Sequence, residues 1–127
     1  LSITKNASTT LEIGAVLTSG TKGIRISRIA ALVTYETVPA DPSNLTASVS
    51  TTSAVQLNWT DNSSNETSFK IERGTSTFSF AQIASTTANV TSYSDPGLPS
   101  GTYFYRIRAA NVAGNSAYSN VASTTVP

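Results

Sequence analysis

Apolar and polar residues alternate in short runs over the C-terminal two thirds of this chain. Clusters of Gly, Pro, Asn, Asp and Ser separate the runs, and β-branched residues are frequent within them. This pattern predicts half-buried β-strands joined by turns, whereas no segment keeps the 3.6-residue period of a helix. The number and spacing of the predicted strands favour an all-β sandwich. Seven strands are predicted, over Leu45–Val49, Val55–Trp59, Phe69–Glu72, Phe78–Ala84, the residues around Tyr93, Tyr103–Ala109 and Ala117–Thr125.

Two prolines interrupt the pattern just before the first of these strands. Pro39 and Pro42 restrict the backbone and cannot donate a hydrogen bond to a strand ladder. We therefore predict three parts: an N-terminal segment of residues 1–38, a linker of residues 39–42 and a sandwich module of residues 43–127.

The N-terminal segment is also rich in apolar and β-branched residues. Its longest run, Ile24–Thr37, predicts a strand with a bulge at Ser27–Arg28, although a helical face can also be drawn through it. Two or three strands are marginally stable alone, so this segment is expected to pack on the module, pair with another chain or be the remnant of a further domain. The candidate assembly residues are Ile24, Ile26, Ile29, Val33 and Tyr35.

Composition removes several kinds of chemistry from consideration. The 127-residue chain has no His, Cys or Met, so disulfides, thiolate nucleophiles and imidazole ligands are excluded. A net charge of +1 from dispersed residues gives no footprint for nucleic acid, and no apolar run is long enough to span a bilayer. The seven carboxylates are scattered, so no catalytic pair is indicated and we expect neither an enzyme nor a cofactor.

Hydroxyl residues are unusually frequent, with 20 Ser and 20 Thr among the 127 residues. Abundant Ser, Thr and Asn with only 12% charged residues is a common surface composition of secreted proteins, which favours an extracellular or cell-surface location. The same composition creates N-x-Ser/Thr glycosylation sequons readily by chance. Sequons begin at Asn6, Asn44, Asn62, Asn65 and Asn89, and a further one begins at Asn58 inside a predicted strand.

Several motifs follow one another in order along residues 41–127. They are VQLNWT at 55–60, DNSSNET at 61–67 with FKIER at 69–73, LPSGTYFYRIRA at 98–109 and NVAGNS at 111–116. Together they resemble a fibronectin type III domain of the bacterial secreted or cell-surface kind. Residues 1–38 resemble, weakly, the closing strands of another β-sandwich.

The resemblance implies a seven-stranded, immunoglobulin-like Greek-key sandwich. It also implies that Tyr103 is a "tyrosine corner" whose hydroxyl bonds to the backbone a few residues upstream. No Arg-Gly-Asp occurs, because Arg73-Gly74 is followed by Thr75. Integrin binding by that route is therefore not supported. The predicted structural core includes Trp59, Ile71, Leu98, Tyr103 and Tyr105.

A loop and four aromatic residues are the candidate binding features. Asp61, Asn62, Asn65 and Glu66 could offer oxygen ligands to Ca²⁺, but their spacing favours a hydrogen-bonded turn with Glu66 paired to an arginine. Trp59 could stack on a sugar, although its strand position favours burial. The aromatic residues with a better prospect of exposure are Phe78, Phe80, Phe104 and Tyr118.

Charges on neighbouring predicted strands favour a cross-strand ion ladder of Arg106 and Arg108 with Lys70 and Glu72. The sequence thus favours a non-enzymatic structural subunit whose N-terminal strands pair with another copy of the chain to form a surface filament or stalk. The alternative is an adhesion, glycan-binding or spacer module of a larger secreted protein, such as a polysaccharide-degrading enzyme.

Overall fold

The computed structural model describes residues 2–5, 11–14 and 36–127. The chain forms two compact units, Leu1–Glu36 and Thr37–Pro127. In the first unit, strand β1 (Ser2–Lys5) pairs antiparallel with β2 (Leu11–Gly14), with Ser2 opposite Gly14. The predicted assembly residues Ile24, Ile26, Ile29, Val33 and Tyr35 lie outside the described residues, as does Asn6.

The second unit consists of two sheets with antiparallel pairing throughout. The three-stranded sheet has the order β3-β4-β7, with β3 at Ser43–Thr51, β4 at Ala54–Thr60 and β7 at Ser92–Asp95. The five-stranded sheet has the order β10-β8-β5-β6, with β9 also paired to β8. Its strands are β5 at Ser68–Ser76, β6 at Ser79–Thr87, β8 at Gly101–Asn111, β9 at Gly114–Asn115 and β10 at Ala122–Val126.

This arrangement confirms the all-β sandwich, with one difference at the last strand. The prediction of a continuous strand over Ala117–Thr125 is wrong, because the chain between β9 and β10 leaves the ladder. Two serine hydroxyls there replace backbone acceptors: Ser116 Oγ accepts the amide of Ala109 at 2.9 Å, and Ser119 Oγ accepts that of Ile107 at 3.1 Å. Side-chain acceptors of this kind compete with the regular ladder and interrupt it.

The core lies between the sheets and is formed by the inward half of each alternating strand. The rings of Trp59 on β4 and Phe69 on β5 meet edge to face, with centroids 5.6 Å apart. Such pairs add packing energy beyond the buried area. The buried cluster consists of Leu45, Val55, Leu57, Trp59, Phe69, Ile71, Leu98, Tyr103, Tyr105, Ile107, Ala109 and Val126.

Gly74 sits where β5 departs from regular pairing with β6. A Cβ atom built on Gly74 would overlap the backbone carbonyl oxygen of Ser79, which cannot move aside as a flexible side chain would. We expect Gly74→Ala to lower the free energy of unfolding by about 1–3 kcal/mol, the usual range for overpacking. Urea unfolding measures the loss. The matched control is Thr75→Ala at the exposed neighbouring position, and equal stability of the two variants would contradict the prediction.

Candidate functional site

The outward face of the five-stranded sheet carries a cluster of cations and aromatic rings. Antiparallel register places Lys70 opposite Arg108 and Glu72 opposite Arg106 on β5 and β8. Because strand side chains alternate between faces, these four residues share one side of the sheet. The chain between β9 and β10 adds Tyr118 and β6 adds Phe80. We call this set the aromatic–cation face, formed by Lys70, Glu72, Phe80, Arg106, Arg108 and Tyr118.

Arg106 is held at the centre of this face. Its Nε and Nη2 atoms donate to Glu72 Oε2 at 2.8 and 2.7 Å, which forms the cross-strand ion pair that the sequence favours. Its guanidinium lies 3.8 Å from the ring centre of Tyr118 and 4.4 Å from that of Phe80. These two cation–π contacts limit the movement of the guanidinium.

Glu72 is the buried anion beneath these cations. Its side chain is 8% exposed, and its Oε1 atom accepts the hydroxyl of Tyr118 at 2.9 Å. Burial raises the pKa of Tyr118, and so does its hydrogen bond to the Glu72 carboxylate, since ionisation would place a second negative charge there. Arg108 lies farther away, with Nη2 at 3.6 Å from Glu72 Oε1 and its guanidinium 4.9 Å from the Tyr118 ring centre.

A second polar cluster joins the two sheets. The carboxylate of Asp95 on β7 accepts hydrogen bonds from Arg73 Nη1 at 3.0 and 2.8 Å. It also accepts a hydrogen bond from the hydroxyl of Tyr105 on β8 at 2.9 Å. Burial alone would lower the pKa of Arg73, but its hydrogen bond and attraction to Asp95 raise it. Burial and the same carboxylate raise the pKa of Tyr105. Arg73 therefore stays charged and Tyr105 stays a neutral phenol, and their contacts with Asp95 connect opposite layers of the sandwich.

Tyr103 and Leu98 close the end of the sandwich near the turn before β8. The Tyr103 hydroxyl donates to the carbonyl oxygen of Pro99 at 2.9 Å, which is the geometry of a tyrosine corner. Leu98 is buried, and its amide donates to the carbonyl oxygen of Ser53 at 2.8 Å. These contacts fix the connection between β7 and β8, so both residues have structural roles.

The loop with the candidate Ca²⁺ ligands uses its polar groups for hydrogen bonds within the fold. Asp61 Oδ1 accepts the amide of Ser63 at 2.9 Å, which forms an Asx turn. The Asn62 amide nitrogen donates to the carbonyl oxygen of Asp41 at 2.8 Å, and that of Asn65 donates to the carbonyl oxygen of Thr37 at 2.9 Å. Within the described part of the chain, no group of three acidic, His or Cys side chains is close enough to hold a metal ion.

Among the described residues, the partner of Glu66 is a backbone amide rather than an arginine. Its side chain points inward, and Oε1 accepts the backbone amide of Asn89 at 3.0 Å. This amide belongs to a tight turn in which Asn89 has a φ of 62°. The turn leaves its N–H without a strand partner, and the carboxylate replaces that partner. Glu66 thus ties the loop after β4 to the turn after β6.

Glu66 also makes stability depend on pH. Burial by itself raises the pKa of Glu66, but the hydrogen bonds it accepts outweigh burial and lower the pKa. A carboxylate with a depressed folded pKa contributes stability above its unfolded pKa, and that contribution is lost as the pH falls through the folded value. We expect Glu66→Gln to flatten the fall in unfolding free energy below about pH 4.3, the ordinary glutamate pKa. Urea titrations across this range measure the slope, and a slope equal to wild type would contradict the assignment.

The residues that precede β3 are attached to the loops beside them. The carbonyl oxygen of Thr37 accepts the amide nitrogens of Asn65 and Asn111, each at 2.9 Å. Asp41 Oδ1 accepts the amide of Ala117 at 2.9 Å, and Pro39 and Pro42 are buried. Residues 37–42 are therefore part of the sandwich unit, and an open depression beside them is lined only by uncharged residues of 37–40 and 62–65.

The remaining candidates lie at separate places on the module. Trp59 is buried at 6% exposure, whereas Phe78 in the turn between β5 and β6 is 97% exposed. Phe104 is half-buried on β8. The sequon asparagines Asn44, Asn58, Asn62, Asn65 and Asn89 are all exposed, although Asn44, Asn62 and Asn65 donate side-chain hydrogen bonds.

Sequence reasoning missed the Asp95 cluster. The residues Asp95-Pro96-Gly97 have the composition of a turn and indicate no partner for Asp95, yet the alternation of β5 places Arg73 on the inward face with Ile71. An inward arginine requires a buried acceptor, and that requirement was the available signal. The stacking of Phe80 and Tyr118 on Arg106 had no such signal, because Tyr118 lies in the interruption between β9 and β10.

The geometry defines the class of the protein first. Two antiparallel sheets of the observed order, closed by a tyrosine corner, form an immunoglobulin-like β-sandwich. The sequence matches the family model described as "Fibronectin type III domain" over residues 40–125, so the chain belongs to the fibronectin type III family. Domains of this family are typically non-catalytic. In the described residues, no helix is long and apolar enough to cross a membrane.

Solved structures with the same fold come from varied proteins. An Fn3-like protein from Clostridium thermocellum is 24% identical with a TM-score of 0.59, and the match covers 68% of this chain and 92% of that one. Domains from titin are 25% identical with a TM-score of 0.60, covering 70% of this chain and 32% of theirs. Pectate lyase Pel3 from Pectobacterium carotovorum is 22% identical with a TM-score of 0.59, and the match covers 66% of this chain and 27% of the Pel3 chain.

The chain thus spans about a third of the titin structure that it matches. A search among curated proteins found no match.

Proposed function

We propose that this chain is a non-enzymatic structural module of an extracellular or cell-surface protein, and that its N-terminal segment pairs its strands with a neighbouring subunit. The observation that supports this is the completeness of residues 37–127. Seven strands, the last in two pieces, fill both sheets, so the module needs no strand from residues 1–36. The strands of the N-terminal segment can therefore satisfy their edges elsewhere.

The polar clusters of the module support a structural role. Asp95 joins the two sheets, Glu72 joins neighbouring strands and Glu66 joins two loops. Each of these carboxylates has hydrogen-bond partners within the fold and lies apart from the others. Such groups stabilise a scaffold, whereas acid–base catalysis needs carboxylates that converge on one substrate position.

Strand addition is the proposed mode of assembly. A peptide strand that joins an exposed sheet edge gains main-chain hydrogen bonds along its length, which gives affinity without a preformed pocket. Repeated head-to-tail addition between copies of this chain produces an open filament rather than a closed ring. The partner is therefore a second copy of the chain, and the proposed donor is the run that carries Ile24, Ile26, Ile29, Val33 and Tyr35.

Size-exclusion chromatography with light scattering and negative-stain electron microscopy test this assembly on the full chain. We expect large species or fibres, and we expect Val33→Pro to reduce the full chain to monomers because proline cannot join a ladder. Ser19→Pro, in a predicted turn, is the matched control and should still assemble. A full chain that remains monomeric at high concentration would overturn the proposal.

A second candidate is an adhesion, glycan-binding or spacer module within a larger secreted protein. The likeness to pectate lyase Pel3 favours this candidate. The match covers only 27% of the Pel3 chain, so a sandwich of this fold forms one part of that longer protein. The two candidates differ in solution state. The module proposal predicts a monomer, and a glycan-binding role further predicts a hit on a glycan array that is lost when exposed aromatic residues are changed to Ala.

A further inference from the structure

We propose that the aromatic–cation face binds an acidic polysaccharide that carries carboxylate groups, that is, a polyuronate. This inference deepens the module candidate and rests on it, and it does not depend on strand pairing. It starts from an imbalance of charge. The strands of the five-stranded sheet hold four cations and one carboxylate, and one of those cations, Arg73, is turned to Asp95 on the other sheet.

Of the three remaining cations, Arg106 and Arg108 contact the carboxylate of Glu72. That carboxylate accepts two short contacts from Arg106 and a hydrogen bond from the Tyr118 hydroxyl. Arg108 stands 3.6 Å from it, and within the described residues neither Arg108 nor Lys70 makes a side-chain hydrogen bond. A purely structural cluster needs one cation for one carboxylate, since additional like charges repel one another. The excess of two positive charges is therefore available to an outside anion.

The face is also prepared for binding. The rings of Phe80 and Tyr118 both contact the Arg106 guanidinium, so little side-chain freedom remains to be lost when a ligand arrives. Arg106 and Arg108 keep 29% and 26% of their side-chain surface exposed. They are two residues apart on β8, which places their backbone positions about 7 Å from each other on the same side of the sheet.

These features identify the chemistry of the ligand. A guanidinium pairs with a planar carboxylate through two parallel hydrogen bonds, and an ammonium adds a point charge beside it. Aromatic rings offer flat apolar surfaces against which the C–H faces of sugar rings can pack. A row of cations along one strand with rings beside it matches a polymer that repeats a carboxylate on successive sugars. A neutral glycan would leave the cations without partners.

Isothermal titration calorimetry of the full chain with polygalacturonate at low salt tests the proposal. We expect binding that weakens as salt is added, and no binding to the same polymer after methyl esterification, which neutralises its carboxylates. The variant Lys70→Gln with Arg108→Gln removes the excess charge but keeps the Arg106–Glu72 pair. We expect it to lose at least tenfold in affinity while thermal unfolding stays at the wild-type temperature.

The matched control changes charge by the same amount on the other sheet. Ser48→Glu with Ser94→Glu lowers the net charge by two at exposed positions of β3 and β7, and it should bind as wild type does. Equal loss in both variants would show a net-charge effect and overturn the assignment of the face. Binding of double-stranded DNA as tight as that of polygalacturonate would overturn polyuronate as the ligand. Absence of binding to polygalacturonate would overturn the proposal itself, whereas the oligomeric state tests strand pairing separately.

Discussion

Replacement of Asp95 with Ala is expected to lower the free energy of unfolding by about 3 kcal/mol, because it leaves a half-buried arginine and a buried phenol without their acceptor. Asp95 is 5% exposed and accepts from Arg73 and from Tyr105. Most of this loss in stability comes from leaving the two donors, Arg73 and Tyr105, without an acceptor, and not from the energy of the ion pair alone. Because the cluster joins the two sheets, its removal weakens the contact between layers.

Thermal and urea unfolding of the full chain measure this effect. A loss of this size lowers the melting temperature of a domain of about 90 residues by about 12 °C or more. Tyr105→Phe removes only the hydroxyl and should cost about 1 kcal/mol. Ser94→Ala, at the exposed neighbour of Asp95, is the control. An Asp95→Ala variant as stable as that control would show that the cluster contributes nothing to stability.

The second large effect is expected at Trp59, where the size of the replacement decides the result. Trp59→Ala removes a buried indole that packs on Phe69 and should cost about 3–5 kcal/mol. Trp59→Phe keeps most of the ring contact. The Trp59 Nε1 atom is buried and has no hydrogen-bond partner among the described residues, so phenylalanine also removes an unsatisfied donor. We expect it to cost less than about 1.5 kcal/mol.

Far-UV circular dichroism follows both variants, since both lack the fluorescent indole. Phe78→Ala is the control, because Phe78 is 97% exposed and its removal should change stability by no more than about 0.5 kcal/mol. Equal losses in the two Trp59 variants would mean that the indole nitrogen has a partner after all. A Trp59→Ala variant of wild-type stability would show that the ring does not contribute to the core.

Both effects depend on different kinds of information in the chain. The burial of Trp59 follows from the alternation of Val55, Leu57 and Trp59, which is a property of five consecutive residues. The partner of Asp95 does not follow from its neighbourhood, because Arg73 is 22 residues away and reaches it from the opposite sheet. The same distinction applies to Glu72. Its pair with Arg106 is indicated by the register of two adjacent strands, whereas its hydrogen bond from the Tyr118 hydroxyl comes from a residue 46 positions away.

The sequence by itself determined where the strands before the last one lie, which face of each is buried and which family the motifs resemble. These properties are local: period-two alternation and turn residues act within a few positions of the chain. Only the tertiary structure decided the contacts of Asp95 and Glu66, the interruption of the last strand by Ser116 and Ser119, and the stacking of Phe80 and Tyr118 on Arg106. Polar groups take the partner that folding brings within about 3 Å. Which partner arrives depends on how the sheets stack, and no short stretch of sequence specifies that.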